Sequence, residues 1–354
     1  MTRAVRVLVV DDSAYNRRTI IKVLNEIAGV EVVDYACNGE EGLRKAIDLT
    51  PDLITLDLEM PRMDGFSFLR ILMQNCPIPV IVVSSRSGQE DVFRALEFGA
   101  VDFVAKPTAQ ITPELFNIRE DLIRKVIEVA GTDMGKVLKR AGSDKTQLRT
   151  ARTKPLQRGT KESSAVKQVV IGASTGGPPA LQAIFSAIQN PLDVGFAISQ
   201  HMPPGFTRAF AERLNKFTAL EIKEAANGDQ LHPGRVLIAP GGMNLTFRRR
   251  GDEILAQVSS PEPKQRYTPS VDVMFNSASD VYQDRLLGVV LTGMGNDGAR
   301  GTRLIKSRGG MILAEAEESS VVFGMPKEAI ATGCVDGVVP LSGMCGEILK
   351  RCGY

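Results

Sequence analysis

Residues 5–12 read VRVLVVDD, a short aliphatic run that ends in two acids. Four further runs rich in Val and Ile follow in the first third of the chain, at residues 30–36, 52–58, 79–85 and 101–105. Segments with helical periodicity, such as Glu41–Leu49, separate these runs. Strands that are apolar along most of their length are typical of a parallel sheet covered on both faces. Residues 1–125 are therefore predicted to form a doubly wound α/β domain.

A second alternation of strands and helices begins after residue 165. Its strand-like runs are VKQVVIGAS (166–174), VGFAISQH (194–201), RVLIAPGG (235–242), LLGVVLTGMG (286–295) and GMILAEA (310–316). Helical stretches lie between them, at Pro178–Ile188, Phe206–Phe217 and Gly298–Lys306. Residues 166–354 are predicted to be a second domain with a doubly wound parallel sheet, Rossmann-like in architecture.

The segment between the two domains, residues 126–165, is predicted to be a flexible linker. Residues 131–165 hold nine Lys or Arg against three acids, although the net charge of the whole chain is only +2. This stretch is rich in Gly, Ser and Thr and lacks helical apolar periodicity. We interpret it as a solvated linker rather than a nucleic-acid-binding tail, and we expect no nucleic acid partner.

The composition predicts a soluble, cytoplasmic protein that does not insert into a membrane. No apolar run approaches the ~20 residues that a spanning helix needs. The five cysteines are scattered without a Cys-x-x-Cys pair, which fits a reducing compartment. The first 13 residues show no export signal.

Polar residues follow the predicted strands of the first domain. Asp11 and Asp12 end the first strand, Asp57 the third and Ser84 the fourth, and Lys106 follows the fifth. Because these strand ends share one crevice, the three carboxylates are predicted to bind Mg²⁺, with Asp57 as the nucleophile that accepts a phosphoryl group. Lys106 and the Ser84 hydroxyl would then bind phosphate oxygens and, as switch residues, convert the modification into movement. A single Asp at a strand end more often caps the next helix, but five matched positions argue against that alternative.

These positions, together with DLEMPRMDG at residues 57–65, resemble the receiver domains of bacterial two-component systems. The resemblance covers roughly residues 3–125. It implies a flavodoxin-like fold, phosphorylation of Asp57 by a histidine kinase, and Phe103 as the aromatic switch residue. It also implies a cis bond between Lys106 and Pro107.

A serine lies at a tight predicted turn between a strand and a helix of the second domain. Residues 172–176 fit G-x-S-x-G, in which small neighbours permit a sharp bend and expose the Ser174 hydroxyl near a helix N-terminus. The amides of Thr175 and of Met294, which stands between two glycines, are predicted to form an oxyanion hole. A Gly-rich turn also binds phosphates or dinucleotides, although this spacing matches neither the P-loop nor G-x-G-x-x-G.

A serine nucleophile needs a base, and the chain has only two histidines, His201 and His232. His201 ends a predicted strand as Ser174 does, so it is the predicted base, whereas His232 in a His-Pro-Gly turn is interpreted as structural. Asp297, after a further strand, is predicted to orient the imidazole; its alternative role is to cap the following helix. The order Ser, His, Asp differs from that of α/β-hydrolases, so that fold is not assigned.

The segments GASTGG (172–177), SQHMPPGF (199–206) and LTGMGNDGARG (291–301) closely resemble the chemotaxis-specific protein-glutamate methylesterases. The resemblance implies hydrolysis of γ-glutamyl methyl esters, and deamidation of glutamines, on the cytoplasmic helices of methylated membrane chemoreceptors. It implies that Ser174, His201 and Asp297 are catalytic and that hydrolysis uses no cofactor. It also implies that the unphosphorylated receiver restricts access to them.

Two other functions fit parts of the sequence. A DNA-binding output is common behind a receiver, but the second domain has neither a basic surplus nor a helix-turn-helix signal. A nucleotide-binding output would use the turn at residues 172–177. Loss of ester hydrolysis in Ser174→Ala would distinguish a hydrolase from a binding protein.

Overall fold

The computed structural model describes residues 3–84, 89–106, 113–130, 132–138 and 166–354. The chain divides into two compact units, Met1–Ser143 and Asp144–Tyr354. Most of the linker predicted over residues 126–165 lies outside the described residues. Pro107 lies outside them as well, so its predicted cis bond stays a prediction.

The first unit contains five strands, β1 (Val5–Val10), β2 (Val30–Ala36), β3 (Leu53–Asp57), β4 (Val80–Ser84) and β5 (Asp102–Ala105). The helices between and after them are α1 (Ala14–Asn25), α2 (Gly39–Leu49), α3 (Gly65–Asn75), α4 (Gln89–Glu97) and α5 (Pro113–Val129). The sheet has the order β2-β1-β3-β4-β5 and every neighbouring pair is parallel. The doubly wound fold predicted for this part of the chain is confirmed.

Side chains at the helix entrances fix where the first three helices begin. Ser13, Asn38 and Asp64 each accept a hydrogen bond from the amide three residues further on, and so cap α1, α2 and α3. The strand order reverses between β1 and β3, which opens a crevice at the carboxyl ends of these strands. Asp11 and Asp57 lie at this crevice.

Helix α5 continues past residue 125, where the first domain was predicted to end. Val126 and Val129 are fully buried, so the apolar stripe of the helix extends four residues further. Residues 134–138 are also helical, with Met134 and Val137 buried. The basic residues that follow at once in the sequence concealed this apolar spacing.

The second unit contains nine strands within its described residues, β6 (Gln168–Ala173), β7 (Gly195–Gln200), β8 (Glu221–Glu224), β9 (Arg235–Ile238), β10 (Asn244–Arg250), β11 (Glu253–Ser259), β12 (Leu286–Val290), β13 (Met311–Glu315) and β14 (Gly337–Val339). Its helices are α6 (Gly177–Ser186), α7 (Phe206–Asn215), α8 (Val271–Tyr282), α9 (Ala299–Ser307), α10 (Met325–Ala331) and α11 (Leu341–Arg351). Seven strands form one parallel sheet in the order β14-β13-β12-β6-β7-β9-β8. The predicted second parallel-sheet domain is confirmed.

Strands β10 and β11 form an antiparallel hairpin outside this sheet. Arg250 pairs with Glu253 across a turn in which Gly251 has a φ of 61°. Leu245 and Phe247 of the hairpin join Phe275 of α8 in one buried apolar cluster. The hairpin therefore helps to hold α8, whose first residues reach the site described below.

Among the described residues, no helix is both long enough and apolar enough to cross a membrane.

Candidate active site and metal centre

Two strand ends bring Ser174 and His201 side by side. Ala173, the last residue of β6, pairs with Gln200, the last residue of β7, and the His201 amide donates a hydrogen bond to the Ala173 carbonyl (3.0 Å). Ser174 and His201 are therefore each the first residue after two paired parallel strands. Both are buried, with exposed fractions of 3% and 6%.

Asp297 reaches the same edge of the sheet from the opposite side of β6. It lies in the loop between β12 and α9, and β12 pairs with the edge of β6 that β7 does not occupy. Asp297 Oδ2 lies 2.8 Å from His201 Nε2, and Asp297 is buried. The fold thus joins two of the three predicted triad residues directly.

The start of α8 keeps Asp297 ionised. The carboxylate accepts hydrogen bonds from the amides of Val271 (2.7 Å) and Asp272 (2.9 Å) and from the Ser270 hydroxyl (3.1 Å). Burial by itself raises the pKa of Asp297, but the hydrogen bond from His201 and the α8 amides hold that pKa below its ordinary value. Because a carboxylate only accepts hydrogen bonds, His201 Nε2 carries the proton.

The other ring nitrogen of His201 is the one that could accept a proton. His201 Nδ1 is buried and has no hydrogen-bond partner in the part of the chain that the structure describes. With the proton on Nε2, Nδ1 carries the free lone pair of the imidazole. One face of this imidazole stacks on the ring of Tyr267. Sequence analysis missed Tyr267 because it lies in a loop that follows no strand-end pattern.

Glycines permit the sharp turn around Ser174. Gly176 has a φ of 76°, in the left-handed region that side chains rarely adopt. A Cβ on Gly177 would lie only 2.0 Å from Gln200 Oε1. Gln200 in turn donates from Nε2 to the Ser174 carbonyl (2.9 Å), which ties the entrance of α6 to the end of β7.

A buried glutamate supports the same turn from the neighbouring strands. The Ser174 amide donates to the Thr292 carbonyl (3.0 Å), and the Thr292 hydroxyl donates to the Thr175 carbonyl (3.0 Å). The Thr292 amide is held by Glu315 Oε2 (2.9 Å), and Glu315 is fully buried at the end of β13. Neither residue was identified from the sequence, although both follow the strand-end pattern that identified the others.

The two residues predicted to supply oxyanion donors lie in different surroundings. Thr175 is buried, whereas the Met294 side chain is 38% exposed. The turn that carries Met294 packs closely on Ser174, because a Cβ on Gly293 would lie 2.6 Å from Ser174 Cβ. A residue larger than glycine at position 293 would therefore push this turn away from Ser174.

The acidic residues of the first unit converge as a metal site requires. One oxygen from each of Asp11, Asp12 and Asp57 lies within 4.8 Å of the others. Asp11 Oδ2 is buried and accepts no hydrogen bond from any described residue. Burial and the charge of Asp57 raise the pKa of Asp11 to about 6. An unpaired buried carboxylate oxygen among three carboxylates fits Mg²⁺, which prefers oxygen ligands.

Lys106 lies at the phosphorylation site predicted from the sequence. Its Nζ is 2.6 Å from Asp57 Oδ2, and the Glu59 amide donates to Asp57 Oδ1 (3.2 Å). Burial raises the pKa of Asp57 even though Lys106 opposes that shift. The ammonium group is therefore positioned to pair with a phosphoryl oxygen added at this carboxylate.

Two of the three predicted switch residues, Ser84 and Phe103, lie on the strands beyond β3. Ser84 is the buried last residue of β4, the strand that pairs with β3. Phe103 is buried on β5, where its ring meets the edge of Phe93 at 6.2 Å and lies 4.8 Å from Lys125 Nζ. A change at Asp57 would reach Phe103 through two neighbouring strands.

Residues 169–348 match the family model of CheB methylesterase, and residues 7–114 match that of the response regulator receiver domain. The protein-glutamate methylesterase/protein-glutamine glutaminase 3 of Geobacter sulfurreducens is 54% identical over 99% of this chain and 98% of its own length. The protein-glutamate methylesterase/protein-glutamine glutaminase 1 of Myxococcus xanthus is 46% identical over 95% of this chain and 94% of its own length.

The second unit also resembles a solved structure, the Thermotoga maritima CheB methylesterase catalytic domain. The two are 36% identical with a TM-score of 0.51, over 52% of this chain and 98% of that one. A methylesterase model therefore matches half of the sequence, and a full-length relative shares more than half of its residues. The chain belongs to the CheB methylesterase family and carries a response regulator receiver domain in front of its methylesterase domain.

Proposed function

We propose that this protein removes methyl groups from glutamate γ-methyl esters on chemoreceptor helices, with Ser174 as nucleophile and His201 as base. Membership of the family makes it a methylesterase that serves adaptation in chemotaxis. The hydrogen bonding of the His201 ring supports the roles given to Ser174 and His201. One ring nitrogen is bonded to the buried Asp297, and the other has no partner among the described residues. His201 also directly follows the strand beside that of Ser174.

In the first half of the proposed reaction, His201 Nδ1 takes the hydroxyl proton of Ser174 while Oγ attacks the ester carbonyl carbon. The amides of Thr175 and Met294 stabilise the negative charge on the carbonyl oxygen, and loss of one such donor typically costs ~3 kcal/mol. His201 then gives its proton to the methoxy oxygen as the carbon–oxygen bond breaks. Methanol leaves, and the glutamyl group remains as an ester of Ser174.

In the second half, water replaces methanol. His201 Nδ1 takes a proton from water, the hydroxide attacks the acyl carbon, and the proton returns to Ser174 Oγ as that ester bond breaks. The products are the free glutamate side chain and the regenerated serine. Asp297 keeps the imidazole in one tautomer and stabilises its cation throughout. The residues need no cofactor for this chemistry.

We propose the same route for the deamidation of receptor glutamines. The two relatives are named as protein-glutamine glutaminases as well as methylesterases. An amide differs from the ester in its leaving group, which would take the proton from His201 and depart as ammonia. The acyl-enzyme and its hydrolysis are then identical.

We propose that residues 1–125 form a receiver that accepts a phosphoryl group on Asp57 from a histidine kinase. Asp11, Asp12 and Asp57 would hold Mg²⁺, which when bound offsets the charge of the incoming phosphate. Lys106 and the Ser84 hydroxyl would bind the phosphoryl oxygens.

The added charge would then repack the receiver face around Phe103. This change would open access to the catalytic domain, residues 166–354, which a linker at residues 126–165 joins to the receiver. Both domains act in the cytoplasm, where the kinase and the receptor helices are found.

Methanol release from methylated receptor membranes tests the proposal. We expect release by the wild type and none by Ser174→Ala. Ser199→Ala is the matched control, because Ser199 is a fully buried serine two residues before His201 whose hydroxyl has no partner among the described residues. A serine-directed phosphonate should label the wild type and Ser199→Ala but not Ser174→Ala. Labelling or release by Ser174→Ala would refute the assignment of the nucleophile.

A further inference from the structure

We propose that Tyr267 is a positioning residue for the catalytic base, and that its ring fixes the plane of the His201 imidazole and stabilises the imidazolium. The inference rests on the proposed role of His201. Tyr267 lies in the loop between β11 and α8, far from His201 in sequence. Nothing in the proposed reaction requires it to touch the substrate.

One hydrogen bond does not fix the orientation of an imidazole. The bond between His201 Nε2 and Asp297 leaves the ring able to turn about that nitrogen, which would swing Nδ1 away from the Ser174 side. The Tyr267 ring lies parallel to the imidazole, with planes 6° apart and centroids 5.0 Å apart. This offset stack against one face opposes that rotation, so it supplies the second constraint.

Tyr267 is itself held at both ends. Gln265 Nε2 donates to the Tyr267 carbonyl (2.6 Å), and Gln265 also bonds to the Asn244 side chain (2.9 Å). At the other end the hydroxyl abuts Gly295, where a Cβ would lie 2.3 Å from Tyr267 Oη. Gly295 has a φ of 89°, so a larger residue there would be strained as well as crowded. The ring therefore has a fixed place beside His201.

The stack also has a chemical consequence. When His201 takes the serine proton, the resulting cation faces an aromatic ring in a site that is almost closed to water. The face of an aromatic ring attracts a cation more strongly than a neutral group. This contact therefore stabilises the state after proton transfer more than the resting state, and such a difference raises kcat without tightening substrate binding.

Three variants of the full chain test the proposal by methanol release from methylated receptor membranes in the presence of a phosphodonor. Tyr267→Phe keeps the ring, Tyr267→Leu removes it, and Tyr354→Leu removes a tyrosine whose hydroxyl accepts a hydrogen bond from the Asp193 amide. We expect Tyr267→Phe to stay within about twofold of the wild-type kcat, and Tyr267→Leu to lose about tenfold with KM unchanged. Tyr354→Leu should keep the wild-type kcat.

Thermal unfolding of each variant shows whether a lower kcat is due only to a smaller fraction of folded protein. If Tyr267→Leu unfolds at the assay temperature, Tyr267→Met, which keeps apolar bulk without a ring, takes its place with the same expected loss. A wild-type kcat in the ringless variant overturns the proposal, and so does a loss in Tyr267→Phe equal to that in Tyr267→Leu, or a loss confined to KM. Absence of release by the wild type would instead overturn the proposed function.

Discussion

The side chain of Asp297 accepts hydrogen bonds at the start of α8, and the side chain of Asp272 accepts hydrogen bonds at the start of α9. Asp297 precedes α9, yet it accepts the amides of Val271 and Asp272 at the start of α8. Asp272 lies in α8, and its Oδ1 accepts the amides of Gly298 (3.0 Å) and Gly301 (2.7 Å) at the start of α9. The alternative that Asp297 merely caps the helix following it is therefore wrong. The exchange fixes both helices beside His201.

This exchange gives a prediction at the scale of single residues. Each carboxylate oxygen of Asp297 accepts two hydrogen bonds. In Asp297→Asn an NH₂ group replaces one of these oxygens, so a donor would face either His201 or the donors at the start of α8. We expect kcat for ester hydrolysis to fall by about 10³- to 10⁴-fold. Asp272→Ala should destabilise the protein by about 1–2 kcal/mol through its lost cap, with much less effect on kcat.

Methanol release and thermal unfolding of both variants measure these two effects. Equal losses of kcat in Asp297→Asn and Asp272→Ala would show that Asp297 acts only by holding the helices. A kcat near that of the wild type in Asp297→Asn would remove Asp297 from the catalytic residues.

At the scale of secondary structure, the site residues lie at or just beyond the ends of four adjacent parallel strands. Ser174 and His201 directly follow β6 and β7, Thr292 follows β12 by two residues, and Glu315 is the last residue of β13. Ser174 directly follows β6, a central strand whose backbone is bonded to strands on both sides. This placement makes the turn at Ser174 rigid and leaves its side chain to face the crevice at the carboxyl ends of the strands.

The Thr292 hydroxyl connects parts of this arrangement and can be removed by substitution without a change in side-chain shape. Thr292→Val keeps the shape but takes away the donor to the Thr175 carbonyl and the acceptor for the Val322 amide (3.0 Å). Loss of these buried hydrogen bonds should lower the free energy of unfolding by about 1–3 kcal/mol and reduce kcat.

Thr302→Val is the matched control for that prediction. Thr302 is also fully buried, but its hydroxyl has no hydrogen-bond partner among the described residues. Its replacement should therefore be neutral or slightly stabilising. Denaturant unfolding of both variants distinguishes the two cases, and equal destabilisation would contradict the role given to Thr292.

At the scale of the whole molecule, the same architecture occurs twice with different chemistry. In each unit the strand order reverses beside the first strand, and the functional side chains cluster at that reversal. In the first unit these are carboxylates that suit a metal and a phosphoryl group. In the second they are a serine and a buried histidine bonded to a carboxylate.

A comparison of the second unit alone with the full chain tests whether the first unit controls ester hydrolysis. A fragment of residues 166–354 should hydrolyse receptor esters at a rate that a small phosphodonor does not change. The full chain should respond with an increase of about fivefold or more, because coupling between sites is typically of that size. Full-chain Asp57→Asn should not respond. A phosphodonor response in Asp57→Asn, or in the fragment, would contradict control through Asp57.

The sequence specified the strands and helices well because their patterns are local. Apolar runs identified all five strands of the first sheet and five of the seven strands of the second, and strand-end reasoning predicted the roles of Ser174, His201 and Asp57 without coordinates; the short edge strands β8 and β14 were missed. It ended the first domain four residues before the end of α5, because the basic segment rich in Gly, Ser and Thr begins soon after the helix, at residue 131. It also passed over Glu315, since a single acid at a strand end is common and nothing nearby in the sequence points to the Thr292 amide that it holds.

What the sequence determined by itself is the order of the elements, the parallel sheets and the types of residue at their carboxyl ends. What only the tertiary structure decided is which other residues meet them. The strand-end pattern predicts that Asp297 bonds to His201, 96 positions away, but Tyr267 reaches the same imidazole from an unpatterned loop. Hydrophobic periodicity records burial along one element, whereas contacts of this kind depend on how several elements pack, so no local pattern encodes them.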